Sequence, residues 1–515
     1  MSVDAATDFE TKDARAREEL RSDLGNRAVR SAAWRGAANV STALVRLGVM
    51  AMLARLLTPH PFGVVAMSAV VTALAGQVSA FGLGSALIQK TAVSPGQLWW
   101  VFRVNLGLSL GLWAGCVAAS PWVSRFFHEP LVGPVLAVSA AVLPIGAVGL
   151  VPRALLTRQL EFRKLVACEF TGAVATAVTS VTMALIGLGV WSLVGGSLAG
   201  AVISTALVIR LAPWRPSRAE RAEGCLSLLR FGAAVAATGI VNYWAYSIAN
   251  VVIGRVLGAA ALGVYTMAFT LAMTPVSHLT ALVSSVTLPA FAAIKEDRER
   301  LSYAYLRCVR WSVSLALPAC AILAALAPQV VEVVLGERWA ASVLPFRLLL
   351  AAAAARALYI FAGSVLQAVG RPQVELLFQG VFCAGVAGSA ALAAPAGVNG
   401  VAGAVTGFIC CVSGPAFVGV TARAAGTGLA GVMRAAGPPA LAAGMAGMTA
   451  WSAAQAVMVV WRDVWNGLPL ILGACTGALM YTFSMTRAAP DLVVEGRQRV
   501  RAMLGRPRPA PARAG

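Results

Sequence analysis

The stretch Ala54–Lys90 decides the fold, and it reads ARLLTPHPFGVVAMSAVVTALAGQVSAFGLGSALIQK. No Asp, Glu, Lys or Arg lies between Arg55 and Lys90. About 20 consecutive apolar residues are enough to cross the hydrocarbon core of a bilayer as an α-helix. We therefore predict a membrane-spanning helix over 62–88, with its charged neighbours outside the hydrocarbon.

The composition of the whole chain agrees with this stretch. Of the 515 residues, 59% are hydrophobic and 12% are charged, and the mean hydropathy is +0.77. A soluble domain carries about 25% charged residues. A single globular core of this size has too little interior to bury so much apolar surface. The chain is therefore predicted to be an all-α integral membrane protein.

Similar apolar runs recur from residue 32 to residue 485, and together they predict fourteen spans, with twelve as the main alternative count. The shortest breaks between runs contain glycine or proline, as in Gly187-Leu188-Gly189, Gly370-Arg371-Pro372 and Pro395-Ala396-Gly397, which supports a turn at those points. The predicted spans are 32–53, 62–88, 98–120, 131–152, 167–187, 189–210, 228–253, 262–289, 305–327, 341–368, 373–394, 397–421, 436–460 and 464–485.

Basic residues alternate between the two sides of the membrane. Loops on one side hold most of them, for example Lys90, Arg153 and Lys295, and both tails are also basic. The opposite loops hold Arg55, Arg125, Arg255, Arg338 and Arg462. Because basic loops stay in the cytoplasm, we predict a multi-pass protein of the cell membrane with both termini cytoplasmic.

The net charge of +20 follows from these loops and tails. Such a charge favours contact with anionic membrane lipids. Nucleic acid is not an expected partner, because no basic segment contains the interleaved aromatic residues that stack on bases. The nine cysteines form no CxxC pair and have no histidine at ligand spacing, so no metal and no cofactor is expected.

A short pattern repeats at an interval of 200 residues. Arg55-Leu56-Leu57 with Phe62-Gly63-Val64 recurs as Arg255-Val256-Leu257 with Leu262-Gly263-Val264, and Met67 recurs as Met267. Each copy ends one apolar run and begins the next. Many transporters are built from duplicated bundles. We therefore predict two pseudo-symmetric six-helix lobes related by an axis along the membrane normal, plus two extra C-terminal helices.

This repeat gives the predicted organisation of the chain. The domains are a cytoplasmic N-terminal tail (1–30), an N-lobe of helices 1–6 (31–211), a cytoplasmic linker (212–227), a C-lobe of helices 7–12 (228–421), helices 13–14 (422–486) and a basic cytoplasmic tail (487–515).

Among the polar residues inside the predicted spans, three places stand out: two stripes and one further arginine. Arg35, Asn39 and Arg46 lie on one face of the first span, because their spacing is i, i+4 and i+11. Asn242, Tyr246 and Asn250 lie on one face of the seventh span. Arg356 lies near the middle of the tenth span. Charged groups within a bilayer usually face a bundle interior or an aqueous cavity.

These residues predict a cavity that binds an anion. The spans contain almost no acids to balance the arginines, and the planar guanidinium group makes paired hydrogen bonds with phosphate. Three structural interpretations remain open. Arg35 can extend to the inner surface, Arg46 and Arg356 can bond backbone carbonyls, and the Asn/Tyr stripe can join helices by hydrogen bonds. No catalytic residues are predicted, because no catalytic constellation is found.

The chain resembles the bacterial polysaccharide transporter family, the lipid-linked oligosaccharide flippases of the multidrug/oligosaccharidyl-lipid/polysaccharide exporter superfamily. Ala54–Lys90 is similar to the opening signature of that family. The resemblance covers residues 30 to 420. The later segments that match are Arg158–Arg163, Leu288–Phe291 with Asp297 and Arg300-Leu301, Leu326–Pro328, Leu335–Trp339 and Leu366–Arg371.

The resemblance implies a two-lobed bundle that alternates between inward- and outward-open forms. It also implies transfer of undecaprenyl-diphosphate-linked sugars to the outer leaflet through a cationic cavity, in which Arg46 and Arg356 fit. The chain has no mid-membrane Asp or Glu, which disagrees with ion coupling through a carboxylate.

The predicted function is therefore a flippase for a lipid-linked oligosaccharide diphosphate, serving exopolysaccharide or another surface glycan. Expected partners are that lipid, membrane lipids, and the polymerase and glycosyltransferases of the same pathway. The alternatives are a cation-coupled multidrug exporter of the same superfamily and a membrane enzyme that acts on lipid-linked sugars. The exporter would need acids in its cavity, and the sequence offers arginines instead.

Overall fold

The computed structural model describes residues 42–43, 45–80, 82–90, 93–212, 214–215, 225–460, 467–491 and 494. All regular secondary structure in these residues is helical. Eleven helical stretches among them are long and apolar enough to cross a membrane. The described part of the chain is therefore an all-helical, multi-span membrane protein, as predicted.

Contacts between Cα atoms divide the chain into two compact units. The first contains Met1–Leu57 and Met67–Tyr243, and the second contains Thr58–Ala66 and Trp244–Gly515. The predicted linker (212–227) lies mostly outside the described residues, so the domain boundaries stay predictions.

The first unit is built from helices that are broken at glycines. Gly187 and Gly189 have φ angles of 87° and 56°, which end α7 and begin α8 where the sequence predicts a turn. Ser94 and Gln97 form a capping box that begins α4. The helices of this unit are α1 (45–56), α2 (Pro59–Ala80, whose first turns belong to the second unit), α3 (Leu83–Gln89), α4 (Pro95–Phe127), α5 (Val132–Ser139), α6 (Val142–Arg158), α7 (Phe162–Leu185) and α8 (Val190–Leu211).

The second unit begins within the longest helical stretch. Gly258 interrupts α9 with a φ of 85° and a ψ of −179°, so α9 contains both the predicted seventh and the predicted eighth span. After α9 (Cys225–Ala293), the helices of this unit are α10 (Arg298–Ala325), α11 (Ala327–Val334), α12 (Val343–Arg356), α13 (Ala362–Ala368), α14 (Pro372–Ala393), α15 (Gly397–Gly407), α16 (Gly414–Ala424), α17 (Leu429–Val460) and α18 (Gly467–Ala488).

The predicted tenth and twelfth spans are not continuous α-helices. Residues 357–361 form turns between α12 and α13, with hydrogen bonds such as Tyr359 N–H to the Arg356 carbonyl at 3.1 Å. Phe408–Ser413 forms a π-helical segment between α15 and α16. Irregular backbone at membrane depth is tolerated where protein buries it or where it lines a cavity. These two interruptions therefore indicate where a site lies.

The two repeated glycines contact each other's helix. A side chain built on Gly63 would overlap the carbonyl of Ala259, and one built on Gly263 would overlap the carbonyl of Pro59 and lie 3.2 Å from the Gly63 nitrogen. The first contact joins Gly63 to residue 259, and the second joins Gly263 to residue 59. The two contacts therefore involve equivalent positions of the repeat, with the two copies exchanged. Reciprocal contacts of this kind are expected when a two-fold axis relates two copies. Only glycine lets the two backbones approach this closely.

Aromatic packing continues beside this crossing. The ring of Phe62 meets the ring of Trp339 edge to face, with centroids 5.3 Å apart, and Trp339 is fully buried. Trp339 belongs to a 3-10 turn, Glu337–Ser342, that precedes α12. The start of α2 is therefore held against the start of the predicted tenth span.

The two C-terminal helices pack on α10. The hydroxyl of Tyr481 donates to the carbonyl of Ser314 at 2.6 Å. Arg310 makes a bidentate ion pair with Asp491, with N–O distances of 2.7 and 3.1 Å. The C-terminal end of the second unit is therefore held against α10 by polar contacts.

One arginine lies in a different place from the prediction. We expected Arg153 in the loop after the fourth span, but it lies within α6, which continues to Arg158. A guanidinium nitrogen of Arg153 donates to the hydroxyl of Ser204 on α8 at 3.3 Å. This polar partner lets the helix include an arginine that hydropathy alone places outside the span.

Candidate functional site

A cavity of about 100 Å³ lies within the second unit, beside both backbone interruptions. We call it the Arg356 pocket. Its lining comes from α12 with the turn that follows, from α14, and from the π-helical segment with α16. The lining residues are Arg356, Tyr359, Phe378, Gln379, Val381, Phe382, Phe408, Val412, Ser413, Ala416 and Phe417.

Arg356 is the last residue of α12 and lies at the middle of the predicted tenth span. Its cationic side chain is half-buried and follows the apolar run LLLAAAAA. The cation stands at the C-terminal, negative end of the α12 dipole, which favours its charge. The break after Arg356 therefore holds a guanidinium group at the middle of the predicted tenth span.

The π-helical segment supplies the opposite side of the pocket. A π turn is wider than an α turn and is frequent at functional sites. Here it presents Phe408, Val412 and Ser413 to the cavity. The hydroxyl of Thr406 donates to the carbonyl of Leu348 at 3.0 Å, which ties α15 to α12. This bond fixes the two broken elements against each other.

Two hydroxyl groups in the pocket are buried and have no hydrogen-bond partner among the described residues. They are Tyr359 Oη and Ser413 Oγ, and the whole Ser413 residue is only 9% exposed. A buried hydroxyl without a partner is costly, so such a group calls for an explanation such as a ligand. Together with Arg356 these groups offer hydrogen-bond donors to an anion.

Four phenylalanines form what we call the aromatic wall of the pocket: Phe378, Phe382, Phe408 and Phe417. The rings of Phe378 and Phe417 have centroids 4.6 Å apart, and those of Phe382 and Phe408 are 6.3 Å apart. A side chain built on Gly385 of α14 would overlap the Phe408 ring. Gly385 therefore gives that ring its place in the wall.

The mouth of the pocket, which we define by Val381 and Val412, is apolar. Each of these valines is 56% exposed, and each lies near the middle of a predicted span. Exposed aliphatic side chains at that depth are typical of surfaces in contact with lipid. The described lining contains no Asp or Glu. The pocket therefore joins an apolar mouth to a cationic, hydroxyl-bearing interior, which suits an anion and not a cation.

The structure includes one of the seven predicted site residues in this pocket, Arg356. Arg46 lies on α1 in the first unit and is exposed, and Asn250 is half-buried on α9. Asn242 and Tyr246 lie on α9, but their side chains fall outside the described part of the chain. Arg35 and Asn39 also lie outside it. A shared site for these residues and Arg356 stays a prediction.

The other lining residues were missed by reading the sequence. Tyr359 lies three residues after Arg356, and Phe382 lies four residues after Phe378, so both pairs carried a helical spacing signal. Ser413 carried none, because its position depends on a π turn that no sequence pattern specifies. The predicted site residues are arginines, asparagines and Tyr246, and they include neither Tyr359 nor Ser413.

Comparison with known proteins places the chain in a family. Residues 52–344 match the family described as polysaccharide biosynthesis protein. The chain is 27% identical over 361 residues to the lipopolysaccharide biosynthesis protein WzxC of Escherichia coli (strain K12), covering 69% of this chain and 73% of that one. It is 27% identical over 311 residues to the succinoglycan biosynthesis transport protein ExoT of Rhizobium meliloti (strain 1021), covering 60% and 63%.

Solved structures show the same fold. The lipid II flippase MurJ, in an inward closed conformation, superposes with a TM-score of 0.69 at 11% identity, covering 89% of this chain and 99% of that one. An inward-facing multidrug resistance transporter of the MATE family gives a TM-score of 0.57 at 17% identity, covering 77% and 95%. The resemblance seen in the sequence is confirmed. The chain belongs to the polysaccharide biosynthesis protein family, and the part of it that the structure describes is a multi-span membrane protein.

Proposed function

We propose that this protein is a flippase that moves an undecaprenyl-diphosphate-linked oligosaccharide from the inner to the outer leaflet. It works by alternating access, as a transporter and not as an enzyme. The glycan serves exopolysaccharide or another surface polymer. The similarity to ExoT, a transport protein of succinoglycan biosynthesis, supports this pathway. The polymerase and glycosyltransferases of that pathway are the expected functional partners.

Alternating access needs two related lobes, and we propose fourteen spans in two six-helix lobes with a C-terminal pair. The reciprocal contact of Gly63 and Gly263 with the opposite helix supports the duplication. We also propose that the protein lies in the plasma membrane with both termini in the cytoplasm. The alternation of basic loops supports this orientation.

The proposal of a diphosphate-linked substrate rests on the Arg356 pocket. A diphosphate crossing the bilayer must exchange hydration for other hydrogen-bond donors, since a bare anion in hydrocarbon is very costly. Arg356 supplies a planar, permanently charged group, which pairs well with phosphate oxygens. The single observation behind the proposal is that this guanidinium shares a pocket with two buried hydroxyls that have no hydrogen-bond partner among the described residues.

The test is transport by purified protein in liposomes that contain a diphosphate-linked lipid oligosaccharide. Arg356→Gln removes the charge, and we expect the flipping rate to fall at least about tenfold, since hydrogen bonds to charged groups contribute about 1.5–3 kcal/mol. Arg356→Lys keeps the charge but loses the planar guanidinium group. Its flipping rate should therefore lie between those of the normal protein and Arg356→Gln.

Arg347→Gln is the matched control. Arg347 lies on the same helix and is exposed, and its Nε donates to the carbonyl of Ala324 at 3.1 Å. This variant should flip the lipid at the normal rate. Normal flipping by Arg356→Gln, with equal amounts of folded protein, would contradict the proposed function of the pocket.

A further inference from the structure

We infer that the Arg356 pocket binds a sugar-free prenyl phosphate, with the terminal phosphate inside and the hydrocarbon chain leaving through the mouth into the bilayer. The ligand is the lipid carrier in the form that remains after its sugar has been removed. This inference deepens the proposed function and rests on it, because the same guanidinium group would bind the diphosphate of the sugar-linked substrate.

The size of the pocket limits what it encloses. A cavity of about 150 Å³ holds one benzene molecule, which has six carbon atoms, so in proportion a cavity of about 100 Å³ encloses about four non-hydrogen atoms. The phosphorus and three terminal oxygens of a phosphate monoester make up that number. A diphosphate with an attached sugar is several times larger, so it can reach Arg356 only from the mouth. A terminal phosphate can enter fully.

The polar groups suit that phosphate. Tyr359 Oη and Ser413 Oγ are buried, and no described residue accepts or donates a hydrogen bond at either atom. A phosphate that accepts from both hydroxyls and from Arg356 would satisfy them. A purely apolar ligand would leave these hydroxyls without partners. The interior therefore selects an anion with several acceptor oxygens.

The mouth and the aromatic wall suit the chain of the ligand. Val381 and Val412 are exposed at mid-membrane depth, so a chain that leaves between them enters hydrocarbon. The aromatic rings are flat and rigid and offer a large apolar contact area. A prenyl chain is also stiffened by its double bonds, so it loses less conformational freedom on these rings than a saturated chain does.

The experiment measures binding by calorimetry to the full-length chain in lipid nanodiscs, with empty nanodiscs as the blank. The probes are farnesyl phosphate, dodecyl phosphate of the same main-chain length, and inorganic phosphate. Farnesyl phosphate should bind at least about tenfold more tightly than inorganic phosphate, because burial of each chain carbon adds affinity. It should also bind more tightly than dodecyl phosphate.

Phe382→Leu should weaken binding of farnesyl phosphate about fivefold and leave inorganic phosphate unchanged, because it removes a ring and no polar group. The matched control is Phe170→Leu on α7, where the ring is 41% exposed. Unchanged binding of inorganic phosphate also shows that Phe382→Leu remains folded. Equal binding of farnesyl and dodecyl phosphate, or no selective effect of Phe382→Leu, would overturn the inference.

Flipping measured on the same preparations separates the two proposals. Farnesyl phosphate should inhibit transport of the sugar-linked lipid competitively. If Arg356→Gln abolishes flipping but farnesyl phosphate does not bind the normal protein, this inference is wrong and the proposed function stands. If farnesyl phosphate binds but no sugar-linked lipid is flipped, the proposed function is wrong and the binding site stands.

Discussion

Two helix pairs hold the same place in the chain order of the two halves, but they pack differently. In the first half the fifth and sixth predicted spans are α7 and α8, which lie in direct contact. In the second half the eleventh and twelfth are α14 and the run from α15 to α16, which enclose the Arg356 pocket. The difference lies in the size of the side chains between the helices.

Small residues close the first pair. A side chain built on Gly172 would lie 2.8 Å from Ser204 Cβ, and one built on Gly196 or Gly200 would overlap a hydroxyl of Ser180 or Thr176. Glycines of this kind let helices in a membrane approach to backbone contact. Such an interface leaves no room for a ligand between α7 and α8.

Large residues hold the second pair open. Phe382 on α14 faces Phe408 on the π-helical segment, and their ring centroids are 6.3 Å apart. Gly385 is the one glycine of α14 that makes room for a ring, whereas a side chain on Gly388 would meet nothing within 4 Å. The same arrangement of helices can therefore form either a closed contact or a pocket. Side-chain volume decides between them.

The largest effect is expected from breaking the closed pair. Gly200→Ala places a methyl group against the hydroxyl of Thr176 and 2.7 Å from the carbonyl of Gly172. Because backbone atoms cannot move aside, we expect the free energy of unfolding to fall by about 2–3 kcal/mol. Thermal unfolding of the purified protein in detergent measures this change.

Gly195→Ala is the control for that variant, because its new methyl group would meet only the flexible end of Met183. Its unfolding temperature should stay close to normal. Equal unfolding temperatures for Gly200→Ala and the normal protein would show that α7 and α8 are not closed by backbone contact.

A smaller effect is expected from disturbing the pocket. Gly385→Ala pushes the Phe408 ring into the cavity, which reduces its volume without changing Arg356. We expect the flipping rate to fall about fivefold, corresponding to about 1 kcal/mol, while the unfolding temperature changes little. Gly388→Ala on the same helix should flip normally, and a similar loss in both variants would contradict the contact with Phe408.

The smallest effect is expected from loosening the link between the broken elements. Thr406→Val removes the hydrogen bond to the carbonyl of Leu348 but keeps the shape of the side chain. Hydrogen bonds between helices in membranes contribute about 0.6 kcal/mol on average, so a slight fall in unfolding temperature is expected. Thr421→Val, whose hydroxyl bonds Phe417 within its own helix, is the control and should be closer to normal.

The sequence predicted the fold well where local chemistry decides it. Glycine and proline at Gly187-Leu188-Gly189 and at Gly370-Arg371-Pro372 marked helix ends that the structure has, because positive φ and a missing amide hydrogen end helices locally. The repeat at an interval of 200 residues includes Gly63 and Gly263, but it did not predict that each would contact the other's helix.

The candidate site was predicted only in part. Arg356 could be found because a charge in a long apolar run is conspicuous and energetically costly. Ser413 and Phe408, which line the same pocket, could not be found, because they come from a segment more than fifty residues further along the chain. Their approach depends on how α14 and the π-helical segment pack.

A helical membrane protein could be predicted from the residues alone, because the length of an apolar run and the charge of a loop are properties of one segment at a time. The resemblance of several segments was enough to predict the family. The closure of α7 and α8 on glycines, and the pocket formed by their counterparts, could be seen only in the three-dimensional packing. A cavity depends on the volumes of side chains from several helices at once, and no single stretch of sequence records their sum.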